Sequence, residues 1–462
     1  MNTAEHVHFI GIGGYGMSAI ARVMLEMGYK ITGSDVARQE LTEKLAAKGA
    51  HIYIGHEADH VKGADLVVYS TALSKDNVER KAAEDLNIPV LHRAQMLARL
   101  MNAGKGVAVA GAHGKTTTSS MIALVMEKCE ADPTYIIGGE IVNVGTNAKA
   151  GKGEYVVAEA DESDGSFLQY HPSIAIVTNI EPDHLENYDG DFGKLKEAYV
   201  TFLSQVKSGG KAIVCADDET ITELLPKLDS DTTSKLITYG VNSDAEYKAE
   251  NIRLGDRKVA FEMSKRGTAL GTIQLSVPGL HNVYNAMATV ITCLEAGLTF
   301  AKIAEAIHEF IGAKRRFQVL GEVNDILVID DYAHHPTEIQ ATISAAKATG
   351  KRIIAVFQPQ RYTRTFFLLE QFSRAFPEAD EVIITDIYSP AGEQQIEGVH
   401  SRKLVDMIKT NSNANTLYIP TKEEVLEHLT AKVAPGDLVI TMGAGDIWKT
   451  ADALAKTLKA NV

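Results

Sequence analysis

Along most of the chain, short apolar runs alternate with longer amphipathic stretches, a pattern that predicts strands and helices in succession. His6–Ile10 reads as a strand, Met17–Met27 as a helix and Tyr29–Thr32 as the next strand. Strand Leu66–Tyr69, helix Val78–Leu86, strand Pro89–Leu91 and helix Ala94–Met101 continue the alternation until the linker Asn102–Gly106. A second series opens with strand Val107–Ala110 and helix Met121–Met126. It continues through strands Tyr155–Glu159 and Ile174–Asn179 and closes with helices Ala286–Ala296 and Phe300–Ile311. Polar-apolar alternation at Lys258–Glu262 and Gly271–Val277 predicts antiparallel hairpins. A third series carries strands Ile326–Ile329, Arg352–Phe357, Glu381–Thr385, Thr416–Ile419 and Leu438–Thr441.

Two glycine turns sit at strand-to-helix junctions. In Val107–Thr118, Gly111 and Gly114 let backbone N–H groups converge, the following helix points its positive end at the same spot, Lys115 adds a full charge and Thr116 can ligate Mg2+. Val109 stands where a strict phosphate-loop pattern has glycine, yet the strand, turn and helix order predicts an ATP site. The other turn, Gly11-Ile-Gly-Gly-Tyr-Gly16, has Asp35 19 residues after its last glycine. That spacing fits a dinucleotide fold, and the turn suits any pyrophosphate, including that of a UDP-sugar. The expected fold class is α/β in three domains. These are a Rossmann-like N-terminal domain over 1–104, a central P-loop ATPase-type mononucleotide-binding domain over 105–312 and a C-terminal Rossmann-like α/β domain over 313–462.

Composition narrows the ligands. The net charge of −14 opposes nucleic acid and anionic lipid as partners, so an anionic ligand must be held by local cations, amides or metal. No basic and apolar leader precedes His6 and no apolar run reaches membrane-spanning length, so a cytoplasmic location is expected. Cys129, Cys215 and Cys293 are widely separated in element-forming sequence, which favours buried thiols over disulfides or zinc. Glu159 ends an apolar strand, where an unpaired carboxylate is costly. Arg361 and Arg364, three apart after a strand, can both reach one carboxylate.

The residues His8–Ser18, Gly111–Thr118, Glu159–Asp164, Asn179–His184, His281–Asn285, Arg315–Phe317, Asp331–Pro336 and Phe357–Thr365 together resemble the Mur ligase family over essentially the whole chain. Within it, the likeness is to members that join L-alanine to UDP-N-acetylmuramate. The resemblance implies that the first domain holds the UDP-sugar through Gly11, Gly13, Gly14, Gly16, Met17, Ser18, Asp35, Ser70 and Thr71. It implies that ATP meets Gly111, Ala112, His113, Gly114, Lys115, Thr116 and Thr117, with Asn285 at adenine, Arg316 at phosphate and Asp331 at ribose. Thr116, Glu159 and His184 are implied metal ligands, for Mg2+ with Mn2+ also admitted. The third domain is implied to hold alanine through His334, Arg361 and Arg364 while closing over the other substrates. Lys115, His184, Arg316 and His334 are the implied catalytic groups.

Some of these residues also have plainer readings. Asn285 could cap a helix, and His335, beside His334, could be a packed structural residue. Ala112, Ala333 and Gln360 stand where the family often has threonine, glycine and histidine. Tyr199 occupies the neighbourhood of a modified lysine found in other Mur ligases, so no carbamylated lysine is expected. Three other functions compete: a ligase adding a whole tripeptide to the same UDP-sugar, a nicotinamide-dependent oxidoreductase and a non-catalytic nucleotide sensor. Lys115 with the arginine pair opposes the oxidoreductase, and the coincidence of metal, phosphate and carboxylate groups opposes the sensor.

Overall fold

The computed structural model describes residues 5–70, 73–74, 76–163, 165–255, 257–389 and 393–460. The chain forms two compact units. One comprises Met1–Glu250, Glu262–Ile273 and Tyr284–Glu309, and the other Asn251–Phe261, Gln274–Val283 and Phe310–Val462.

Five parallel strands form the first sheet, in the order His51–Ile54, Lys30–Asp35, His6–Ile10, Leu66–Tyr69 and Val90–His92. The central strand is buried throughout, as a parallel sheet covered on both faces requires. Helix Tyr15–Glu26 begins directly after Gly14. The second strand runs past the expected Thr32 to Asp35 because Gly33 admits Ile12; a Cβ at Gly33 would lie 2.6 Å from Ile12 Cδ1.

The largest sheet has ten strands. Their order is Thr268–Leu275, Lys258–Lys265, Tyr247–Gly255, Leu236–Gly240, Lys211–Cys215, Ile174–Val177, Lys105–Ala110, Tyr155–Glu159, Thr134–Ile141 and Thr146–Lys149. Lys105–Ala110 pairs in parallel with Ile174–Val177 on one side and Tyr155–Glu159 on the other. Their carboxyl ends, where ligands bind in open α/β sheets, therefore lie side by side. The expected hairpin turn is Arg266-Gly267, both at positive φ, as a two-residue connection favours. Helix Leu280–Glu295 starts six residues ahead of the expected Ala286, which puts Asn285 inside the helix and removes its reading as a cap.

The third sheet runs Gln318–Val323, Ile326–Asp331, Asp437–Met442, Arg352–Phe357, Glu381–Ile384 and Thr416–Tyr418, with apolar clusters on both faces. Its first strand is antiparallel and absent from the sequence expectation. This strand is half-exposed and lacks a buried run, and it returns through Asn324-Asp325, both at positive φ. Cys215 and Cys293 are buried thiols and Cys129 is partly buried. Among the described residues no helix is long and apolar enough to cross a membrane.

Candidate active site

The glycine loop expected to hold ATP spans the end of strand Lys105–Ala110 and the start of helix Lys115–Lys128. Thr178 and Asn179, following the neighbouring strand, fix its shape. Ala112 N donates to Asn179 O (3.2 Å) and His113 N to Asn179 Oδ1 (2.8 Å), while Thr178 Oγ1 donates to His113 O (2.6 Å). Gly111 has φ 133° and a Cβ there would lie 2.1 Å from Thr178 Oγ1. With these amides engaged inward, the first-turn N–H groups from Lys115 to Thr117 are the ones without helical acceptors. Thr116 is buried and Thr117 half-buried. His113 Nε2 lies 3.4 Å from Glu181 Oε2. Asn285 is buried, and its Oδ1 accepts from Thr118 Oγ1 at 3.2 Å.

Acids crowd the same edge. Lys115 Nζ donates to both oxygens of Glu162, at 2.8 and 2.9 Å, and to Gly111 O at 2.5 Å. Burial acts to lower the Lys115 pKa, but the charges of Glu162, Asp161 and Glu159 outweigh it and hold the lysine protonated. The Glu162 pKa is raised as well, in its case by burial, which the nearby Lys115 charge opposes. Glu159 ends its strand half-buried, and Oε1 accepts from Gly138 N at 2.7 Å, so a backbone amide answers part of the cost of placing a carboxylate there. His184 adopts φ 55° ahead of the short turn Leu185–Tyr188, with Nε2 3.6 Å from Asp183 Oδ2. That turn is tied to the acid loop: Tyr188 Oη donates to Glu162 O and Asn187 Nδ2 to Ser163 O, each at 2.5 Å. Tyr199 is buried with its ring edge-on to Phe167.

At the N-terminal turn, Gly11 N and Ile12 N both donate to Ser34 O, and Gly13 N donates to Asp35 Oδ2 at 2.8 Å. Gly14 N closes on Gly11 O. The remaining open amides are those of Tyr15, Gly16 and Met17 at the helix start. The Met17 and Ser18 side chains are buried, and Asp35 also accepts from Gln39 Nε2. Ser70 is half-buried at the end of its strand; Thr71 lies outside the described residues. A Cβ at Gly16 would lie 3.2 Å from Arg93 Nη1, and the Arg93 charge also reaches Asp161. Sequence reasoning missed Arg93, which lies outside both glycine motifs.

In the second unit, Asp331, His334, Arg316, Arg361 and Arg364 lie at or near the carboxyl edge of the third sheet. Asp331 accepts from Phe317 N and Ala333 N, each at 2.7 Å; burial pushes its pKa up to about 6 although Arg316 and both amides oppose the shift. Arg316 lies 5.3 Å from the Tyr332 ring and pairs with Glu338 at 3.5 Å. Glu338 also accepts from His334 N and His335 N, which makes it the hub of this group. The signal for it was an acid three residues after His335 with Pro336 between, a helix-start spacing. His335 is the more buried of the two histidines, and His334 is half-buried with Nδ1 3.0 Å from Tyr332 O. Arg361 is exposed at φ 66° before helix Tyr362–Phe367, and Arg364 Nη1 donates to Gln360 Oε1 at 3.0 Å.

A glycine loop with Lys115 beside an acid cluster, a second glycine turn and a third sheet bearing arginines are features of an α/β nucleotide-binding enzyme. The chain belongs to the Mur ligase family. The models described as "Mur ligase family, catalytic domain", "Mur ligase middle domain" and "Mur ligase, glutamate ligase domain" match residues 6–105, 109–293 and 315–445. A UDP-N-acetylmuramate–L-alanine ligase of Symbiobacterium thermophilum is 48% identical, covering 100% of this chain and 96% of that protein. One from Pelotomaculum thermopropionicum is 50% identical over 100% of this chain and 99% of that protein. Among solved structures, UDP-N-acetylmuramate-alanine ligase from Thermotoga maritima aligns with TM-score 0.81 at 29% identity, covering 99% of this chain and 100% of that one. A murein peptide ligase from Psychrobacter arcticus aligns with TM-score 0.70 at 25% identity, covering 98% and 99%.

Proposed function

We propose that the protein joins L-alanine to the lactyl carboxylate of UDP-N-acetylmuramate at the expense of ATP, in peptidoglycan precursor synthesis. The observation that carries this reading is Lys115, held at a clamped phosphate loop in a chain 48–50% identical over its full length to ligases of that name. A carboxylate is a poor acyl donor. Its oxygen attacks the γ-phosphorus of ATP, ADP leaves, and the resulting acyl phosphate is attacked by the alanine amine with release of phosphate and a proton. Bringing two anions together makes charge neutralisation and positioning the main task.

Within that reading, Lys115 and the first-turn amides hold the triphosphate, and the N-terminal turn with Asp35 and Arg93 holds the UDP-sugar. In the second unit, Arg316 and Asp331 serve ATP, while His334, Arg361 and Arg364 serve alanine. The hard oxygen donors Thr116 and Glu159 suit Mg2+, with Mn2+ also acceptable where His184 contributes, and the acid-rich edge around Lys115 fits a cation. The metal supplies neutralisation of phosphate charge when bound. The domain division proposed is 1–104, 105–312 and 313–462, and the location is the cytoplasm. ADP release that requires UDP-N-acetylmuramate and L-alanine together tests the assignment. Release with the tripeptide but not alanine would reassign the protein to the recycling reaction.

A further inference from the structure

The Lys115 ammonium has three protons, and its acceptors all lie inside the protein: both Glu162 oxygens, the Gly111 carbonyl and, at 3.5 Å, the Ala112 carbonyl. The pair is withdrawn from water, with side chains 17% and 4% exposed, so its attraction is weakly screened. The two partners differ in freedom. Glu162 sits on a loop whose carbonyls are pinned by Tyr188 Oη and Asn187 Nδ2, whereas Lys115 swings on a flexible four-carbon stem. A nucleotide phosphate can therefore gain this lysine only by drawing it off Glu162.

We propose that Glu162 is a positioning residue that holds Lys115 as its resident counter-ion, yields it to the terminal phosphates when ATP binds and takes it back as ADP leaves. This rests on the nucleotide reading of the loop. Glu162 then acts against nucleotide affinity, opposite to an acid that binds metal or orients the lysine toward phosphate. Its exchange lets product leave a site otherwise built to hold a polyphosphate. Asp161 and Glu159 lie close enough for their charges to act on Lys115, but neither accepts a hydrogen bond from it.

The test is calorimetric binding of MgATP and MgADP to the full chain and its Glu162→Gln and Glu162→Asp variants, with ADP dissociation followed by stopped flow. Glu162→Gln keeps the shape and removes the charge, so the Kd for MgATP should fall about tenfold, the scale of one competing charged contact. Glu162→Asp keeps the charge but draws it back by one methylene, so its Kd should lie between the native and glutamine values. ADP dissociation should slow in the same order. Tighter binding is not what structural damage produces. Weaker or equal binding in a folded Glu162→Gln protein overturns the proposal, and if that variant does not fold, weaker or equal binding by Glu162→Asp does so. A native protein that binds no MgATP would instead overturn the nucleotide reading itself.

Discussion

Asn285 occupies the space that a side chain on Gly114 would need: a Cβ there would lie 2.5 Å from Asn285 Oδ1, and Gly114 holds φ 85°. The loop thus closes by contact between its last glycine and a helix far along the chain, with Thr118 Oγ1 bonded to the same oxygen. Gly114→Ala should destabilise the protein by roughly 2–4 kcal/mol, combining the strained backbone with the clash. Adding Asn285→Ala should return part of that loss, leaving the backbone strain. Urea midpoints of the single and double variants measure both; equal midpoints would refute the contact's role.

Glu79 is fully buried in the N-terminal sheet domain. It accepts from Ser34 Oγ (2.5 Å) and Glu57 N (3.2 Å) and faces the ring nitrogens of His8 (3.3 Å) and His60 (2.7 Å). Burial pushes its pKa up, but the bonds from His8, Ser34 and His60 prevail and hold it down to about 2 against an ordinary 4.5. Protonating it therefore costs more in the folded state than in the unfolded chain. Its contribution, on the order of 3 kcal/mol, is present above pH about 4.5 and fades as pH falls toward about 2. The urea midpoint of Glu79→Gln should lie well below native at pH 7, and the gap should narrow between pH 5 and pH 3. A constant gap would show that the charge is irrelevant.

The alternation of strand and helix was legible because parallel strands buried on both faces read as apolar runs, as Arg352–Phe357 does without shift. Gln318–Val323 was not, since an edge strand with one solvated face lacks that run. The glycine turn between strand and helix ahead of Lys115 was legible because its glycines and lysine are adjacent in sequence. Glu162 was visible only as one acid among several in Glu159–Asp164; nothing local selects the one that meets Lys115, a contact 47 residues apart. Arg93 and Glu338 likewise gain their roles from tertiary placement, although Glu338 carried a helix-start signal. The helix starts at Leu280, six residues before the expected Ala286 and directly after Pro278-Gly279.

Removing the Lys115 charge should abolish its grip on the triphosphate without disturbing the N-terminal turn. Lys115→Ala should cut turnover at least about a hundredfold, the scale of losing one electrostatic stabiliser. UDP-N-acetylmuramate affinity should stay near native in calorimetry. Near-normal turnover would remove Lys115 from the mechanism.

Glu159 uses one oxygen on Gly138 N, and the carboxylate stands at the end of the strand beside the phosphate loop. As a cation ligand it should set the Mg2+ requirement. Glu159→Ala should shift the Mg2+ activation curve to higher concentration by about tenfold or more, in line with losing a charged ligand. An unshifted curve at reduced or normal turnover would show that Glu159 supports the loop only through Gly138.

Arg361 and Arg364 stand three residues apart at the start of helix Tyr362–Phe367, close to one helical face, with Arg361 held at φ 66° and Arg364 braced by Gln360. A non-glycine residue in that backbone region is kept where the surroundings over-determine it, often at ligand sites. If both guanidiniums clamp alanine's carboxylate, truncating either should raise the KM for alanine about ten- to a hundredfold through loss of a charge-assisted contact. The KM for ATP should barely change. Arg364→Lys retains charge but loses the planar fork and the geometry of the Gln360 contact, so it should resemble truncation more than native. Glycine, one methyl smaller, should be disfavoured only about ten- to two-hundredfold, since a short pocket rejects it by lost contact alone. Steady-state kinetics varying each substrate in turn separates these effects. A raised KM for ATP or the UDP-sugar with alanine's unaltered would assign the arginines to a phosphate site.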